Sequence, residues 1–276
     1  MRTSLHNPKR RRRHSLLVPL AILLAVVVAG GAVLLILRHP TTGISDTPAI
    51  TEPTKPTKAL PVDFIDRNTA SPYVMLKDIT SGQVLYSKNA DARCYPASLT
   101  KLVTALVAMD YVQADTVLTV GNEVTMIDKE SSRAFIPVGA VMSAEQLIQA
   151  ILLPSGNDAA YALAAQVGKL ILSDENAAPR TAIDAFCRKM NEKAQALGCT
   201  GTHFRNPDGI HEAEHYTTAS DMMRIATAAL QNDVIARTVA TPEINTNLLS
   251  GQGVHWVNSN KLVHEGNAFT YAGATG

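Results

Sequence analysis

From Leu16 to Leu37 the chain carries no charged or strongly polar side chain. At about 1.5 Å per residue such a run spans the roughly 30 Å hydrocarbon core of a bilayer, where only a helix satisfies its own backbone. Lys9, Arg10, Arg11, Arg12 and Arg13 precede the run and a single Arg38 follows it. That asymmetry predicts a cytoplasmic tail over residues 1–15, a membrane-spanning signal-anchor over 16–37 and everything downstream outside the cell. The basic block alone would also suit nucleic acid, but its place ahead of an apolar span argues for a membrane and for no nucleic-acid partner. A cleavable signal peptide is the rival reading. The length of the run and the lack of a clear small-x-small site after it disfavour that reading. Export follows either way.

Residues 38–62 are rich in Thr and Pro and lack hydrophobic periodicity, which reads as an extended linker. A folded domain is expected over 63–276. Tyr73 to Lys77 and Val84 to Ser87 have strand composition, with Thr80-Ser81-Gly82 as the turn of an antiparallel hairpin. Pro96 and Ser98 open a helix whose apolar positions Leu99, Leu102, Val103, Leu106 and Val107 follow the 3.6-residue period. Ser143 with Gln146 forms a capping box ahead of Leu147, Ile148, Ile151 and Leu152. Pro154 stops that helix, and an alanine-rich helix runs from Asp158 to Leu172. Ile183, Phe186, Cys187, Met190 and Leu197 stripe a further helix closed by Gly198. Thr218 with Asp221 caps the next, which carries Met222, Ile225, Ala229 and Leu230. Two strands followed by a run of helices predict an α+β domain, and a two-stranded sheet is rarely stable alone.

The composition, with 276 residues, 46% hydrophobic, 18% charged and a formal net charge of +1, allows one substantial core plus a tail. Cys94, Cys187 and Cys199 make an odd count that does not describe a disulfide scaffold. Cys187 falls on an apolar helical face as a buried thiol, with a Cys187–Cys199 bridge as the alternative in an oxidising compartment. Trp256 and Phe269 read as packing residues.

The chemistry centres on Pro96-Ala97-Ser98-Leu99-Thr100-Lys101. A serine hydroxyl is a poor nucleophile until a base takes its proton. Residues three apart share a helical face, so Lys101 stands one turn from Ser98. The positive end of the helix favours negative charge developing there. Lys101 serves as base only if desolvation or a nearby cation lowers its pKa. A second piece, Leu153-Pro154-Ser155-Gly156-Asn157-Asp158, is a tight break between helices. From such a loop Ser155 is placed to relay a proton to a leaving amine, and Asn157 to hold Lys101 and a substrate peptide. Singly, each motif reads as an ordinary helix surface or an ordinary turn.

Together the two motifs resemble the penicillin-binding and serine β-lactamase superfamily, whose pattern is S-x-x-K, S-x-N, then K-T-G. The resemblance is closest to the D-alanyl-D-alanine carboxypeptidases. It extends to Tyr86-Ser87-Lys88-Asn89-Ala90-Asp91, Asn206-Pro207-Asp208-Gly209 and His215-Tyr216-Thr217-Thr218-Ala219. It implies a β-lactamase/transpeptidase-like fold, a helical cluster with an antiparallel sheet that is incomplete in this chain. It implies Ser98 as acyl-ester nucleophile, Lys101 as proton acceptor, and Ser155 and Asn157 as second-motif partners. The substrate implied is a peptidoglycan stem peptide ending in D-Ala-D-Ala, with β-lactam antibiotics as mimics and no metal or organic cofactor. The third motif is missing. The run Gly273-Ala274-Thr275-Gly276 resembles what stands just before K-T-G, so the expectation is a fragment with little or no activity.

Three rivals remain. His211-Glu212-Ala213-Glu214-His215 matches the zinc-peptidase pattern H-E-x-x-H, which needs both histidines on one helical face. Here Pro207, Asp208 and Gly209 precede it and the Thr218 cap follows, so a loop is expected. A β-lactamase would use a carboxylate from Asp208, Glu212 or Glu214 to activate water. A non-catalytic wall-binding module would keep the site degenerate.

Overall fold

The computed structural model describes residues 69–264, which fall within one compact unit, Ala59–Gly276. The 16–37 anchor, the 38–62 linker and Phe269 lie outside the described residues. Among the described residues no helix is long and apolar enough to cross a membrane.

The first hairpin pairs β1 (Val74–Lys77) with β2 (Val84–Lys88) antiparallel, Leu76 opposite Tyr86, with a bulge between Leu76 and Lys77. Its turn is closed by Asp78, whose carboxylate accepts from the Thr80 N–H at 2.9 Å and the Ser81 hydroxyl at 2.7 Å. Gly82 takes a left-handed φ of 75°, the conformation such a turn demands. Only Tyr86 of β2 is buried, and Leu76, Val84 and Leu85 face solvent.

Helix α1 (Thr100–Ala108) forms the centre. All nine of its residues are buried, so it has no solvent face. A helix apolar on all sides belongs in a core, and burying side chains such as Leu102, Val103, Leu106 and Val107 contributes about 1.5–3 kcal/mol each. Its polar residues sit inside only because each finds a partner. The Thr104 hydroxyl, for example, donates to the Pro207 carbonyl at 2.7 Å. The helix starts two residues later than the sequence pattern predicts. Ala97–Leu99 instead form a 3-10 turn, and the left-handed φ of 48° at Ala97 keeps the α-helix from extending back through it.

Around α1 pack α2 (Ala144–Leu152), α3 (Asn157–Leu172), α4 (Pro179–Ala196) and α5 (Ala219–Ala229). The expected capping box at Ser143 is present, with reciprocal 3.1 Å bonds to Gln146. Thr218 likewise accepts from the Asp221 N–H at 3.0 Å. The small side chains of α3 let α4 approach closely. A Cβ on Gly168 would stand 2.0 Å from the Ala182 carbonyl oxygen. Ile183, Phe186 and Met190 are buried in the core, Leu197 partly so, and Gly198 ends the segment at φ 76°.

Two strand pairs and one helix go beyond the sequence reading. β3 (Val117–Thr119) pairs antiparallel with β4 (Val141–Ser143), α6 spans Asp233–Val239, and β5 (Glu243–Asn247) pairs antiparallel with β6 (Gly253–Val257). The described strands therefore form three two-stranded sheets. Trp256 on β6 is buried and donates its indole N–H to the Ala134 carbonyl at 3.1 Å. All three cysteines are free, which corrects the Cys187–Cys199 alternative. Burial raises the Cys187 thiol to about 12 and the Cys199 thiol to about 11, so both stay protonated.

Candidate active site

Ser98 lies in the 3-10 turn at the mouth of α1, half-buried, with its hydroxyl oxygen shared by two donors. The Lys101 amine donates to Ser98 Oγ at 3.0 Å and the Ser155 hydroxyl donates to it at 3.1 Å. Lys101 follows three residues later, in the first turn of α1, which keeps its side chain on the side of Ser98. The turn is braced from below. Gly209 has φ 89°, and a Cβ there would stand 1.9 Å from the Ala97 carbonyl oxygen.

Lys101 is 1% exposed. Its second acceptor is the main-chain oxygen of Asp208, at 3.0 Å. Burial lowers its pKa from 10.5 to about 8, against the opposing pull of the Asp208 and Asp158 carboxylates. At pH 7 about a tenth of such an amine is unprotonated, which is enough to accept a proton. The same burial raises the Asp208 carboxyl above the usual carboxylate range.

Ser155 holds a left-handed φ of 59°, unusual for a residue with a side chain. Its carbonyl accepts from Ser132 Oγ at 2.5 Å. The next residue has to be glycine. A Cβ on Gly156 would stand 2.7 Å from the Ala150 carbonyl oxygen and 2.8 Å from Ala134 Cβ. Asp158 pins the neighbouring loop, its carboxylate accepting from the Ala134 and Ile136 N–H groups at 2.8 and 3.1 Å.

The structure thus brings Ser98, Lys101 and Ser155 together as the sequence pattern expects. Asn157 differs. Its side chain is not hydrogen-bonded to Lys101. Its amide donates to Asp208 Oδ2 at 2.8 Å, and its carbonyl accepts from Ser132 Oγ at 3.3 Å. Asn157 therefore reaches Lys101 through Asp208, which faces Lys101 with its carbonyl and Asn157 with its carboxylate. Of the two further members, Asp208 enters the sequence reading only as a carboxylate that could activate water, and Ser132 does not enter it. The turn chemistry of Asn206-Pro207-Asp208-Gly209 could have flagged the first, since Asn206 Oδ1 accepts from the Gly209 N–H at 2.8 Å.

The segment from His211 to His215 is a loop, so its histidines do not share a helical face. His215 is buried, with Nδ1 accepting from the Arg205 N–H at 3.1 Å. That bond fixes the tautomer, so Nε2–H donates to Thr100 Oγ1 at 2.8 Å. Burial lowers its pKa to about 4. Among the described residues no three His, Cys, Asp or Glu side chains gather as a metal set. Of the carboxylates considered for water activation, Glu212 is bonded to Asn206 and paired with Arg205, and Glu214 is paired with Arg93.

With this geometry in view, a family model described as D-alanyl-D-alanine carboxypeptidase matches residues 64–276. The D-alanyl-D-alanine carboxypeptidase DacF of Bacillus subtilis is 32% identical over 189 residues, which is 66% of this chain and 45% of that relative. The D-alanyl-D-alanine carboxypeptidase of Streptomyces sp. strain K15 is 33% identical over 205 residues, which is 71% of this chain and 67% of that relative. The crystal structure of the Streptomyces K15 DD-transpeptidase superposes with a TM-score of 0.64 at 29% identity, covering 72% of this chain and 78% of that one. The chain therefore shares the transpeptidase fold and spans less than half the length of the Bacillus relative.

Proposed function

Since the chain belongs to the D-alanyl-D-alanine carboxypeptidase family, we propose that it is a serine hydrolase that removes the terminal D-alanine from peptidoglycan stem peptides. The observation that carries this reading is the double approach to one oxygen. Lys101 Nζ lies 3.0 Å and Ser155 Oγ 3.1 Å from Ser98 Oγ, beside a lysine whose burial brings its pKa to about 8.

Unprotonated Lys101 takes the Ser98 proton as Ser98 Oγ attacks the carbonyl between the two D-alanines. A C–O bond forms and the carbonyl becomes a tetrahedral oxyanion. Collapse breaks the C–N bond, and the proton passes from Lys101 through Ser155 to the departing amine. Water then attacks the ester, with the same groups returning the proton to Ser98. Asp208 and Asn157 position Lys101. No step requires a metal. A β-lactam presents a similar carbonyl to Ser98 and should be held as an ester.

The apolar run 16–37 supports a signal-anchor that leaves this domain on the outer face of the cell membrane. Fractionation of cells after carbonate extraction tests that part. Intact mass after exposure to benzylpenicillin tests the chemistry. In protein that also carries the K-T-G segment, one penicilloyl group is expected, lost in Ser98→Ala, together with release of D-alanine from a D-Ala-D-Ala peptide. An adduct that persists in Ser98→Ala would sink the reading.

A further inference from the structure

A second concavity lies between α4 and the segment around Phe204, lined by neither Ser98 nor Lys101. Its volume is about 370 Å³. Arg180, Asp184, Arg188 and Asn191 line it from α4, and His203 and Arg205 line it from the opposite wall. The α4 residues recur every three or four positions, so they share one helical face. Arg180 and Arg188 are eight residues apart, about 12 Å along the helix axis. Three arginines thus line the hollow, Arg180 and Arg188 from the helix and Arg205 from the facing segment.

Its walls are held in place without using the arginines. Asn191 donates to the Cys187 and Phe204 carbonyls, each at 2.9 Å, and accepts from the Phe204 N–H at 2.8 Å. The three guanidiniums meet one lining carboxylate, Asp184, paired to Arg180 at 3.4 Å. Arg205 reaches Glu212 at 3.7 Å from outside the lining. The Arg188 side chain makes no hydrogen bond or ion pair among the described residues. Exposed ion pairs of this length are weak, so these forks can turn to an incoming anion at little cost. A solvated helix face would account for arginines on α4 alone. It does not account for the opposite wall adding Arg205 to the same hollow.

We propose that this hollow binds a linear polyanion whose oxyanion groups are spaced to meet Arg180 and Arg188 together, with Arg205 closing from the facing wall. Arginine forks match phosphate and carboxylate oxygens equally well in geometry, so phosphate-bearing and carboxylate-bearing polymers share the chemistry. The site is separate from Ser98 and would hold the domain against an anionic polymer network while the serine works.

Hydrogen–deuterium exchange on the full chain tests this, because it reports locally and is blind to anions held by Lys9–Arg13. Short-chain polyphosphate and poly-L-glutamate are the two probes, with inorganic phosphate as the single-anion control. At least one polymer is expected to slow exchange in Pro179–Ala196 and in residues 203–205. It should do so at roughly tenfold lower anion concentration than inorganic phosphate, as expected for several contacts in place of one. Arg188→Glu with Arg205→Glu should abolish that protection, and Arg188→Gln with Arg205→Gln should weaken it. Both double variants should keep penicillin labelling of Ser98. The polymer that protects identifies the source of the anion. No protection by either polymer, or equal protection in the Glu variant, would overturn the proposal. Loss of penicillin labelling in the unaltered protein would count against the catalytic reading alone.

Discussion

The main-chain oxygen of Asp208 lies 3.0 Å from the Lys101 amine, and the carboxylate of the same residue holds the Asn157 amide at 2.8 Å. One residue thus joins the two motifs through two different groups. The carbonyl fixes where the amine sits, while burial eases loss of its proton and the nearby carboxylate opposes that loss.

The first expected outcome concerns pH. Acylation of Ser98 should rise with pH and level off above a midpoint near 8, where burial places Lys101. The same depressed pKa bears on folding. Between about 8 and 10.5 the unfolded chain holds the Lys101 proton and the folded chain does not, so this group adds stability as pH rises through that window. Stopped-flow penicillin binding from pH 6 to about 10 would read the first effect, and a flat profile would remove Lys101 as base.

Asp208→Asn keeps the carbonyl and a side-chain oxygen for Asn157 but deletes the charge. The Asp208 charge raises the Lys101 pKa, so its loss should move the acylation midpoint to lower pH. Acylation at pH 6 should gain relative to its own plateau. A midpoint unchanged from the parent would mean that the carboxylate does not act on Lys101.

His215 should make the domain acid-sensitive. It is neutral when folded, with a pKa near 4 against 6.5 for the free side chain, because burial disfavours its charge. Its full contribution is present above pH 6.5 and is lost as pH falls toward 4, a change of about 3 kcal/mol. Urea midpoints measured across that range should fall for the parent and fall less for His215→Gln. Parallel curves would show that another group carries the effect.

Gly209→Ala introduces a Cβ where the Ala97 carbonyl already stands, at a φ of 89°. A loss of about 2–3 kcal/mol is expected from strain and displacement. Because Ala97 adjoins Ser98, acylation should slow even below the unfolding transition. An unaltered rate in a folded variant would show that the turn is not braced from that side.

What could be read from the sequence divides by the range of the interaction. Ser143 with Gln146 and Thr218 with Asp221 act over three residues, and their side chains declare the helix starts. Ser98 with Lys101 is equally local, and the resemblance to a known motif order brought in Ser155. Asn157 was seen, but its partner was not, because that bond joins positions 51 apart. The Lys101 contact with Asp208 uses a main-chain oxygen, which no residue type advertises. Ala97 gives no hint of its left-handed backbone, so the helix start was placed early. β3 and β4 were missed for a related reason. Strands of three residues are too short to show alternation, and only their pairing across the intervening loop defines them.

Helix α1 has neighbours on every side, and this decides which partner in the reaction must adapt. The amine is mounted on a rod that has no free flank on which to tilt, and the reactive hydroxyl sits on the turn that leads into it. An incoming peptide must therefore bend its own carbonyl into line, and poorly shaped amides would be refused by geometry rather than by weak attraction. Mutations that soften the packing around this rod should blur that selectivity at temperatures where the domain is still folded.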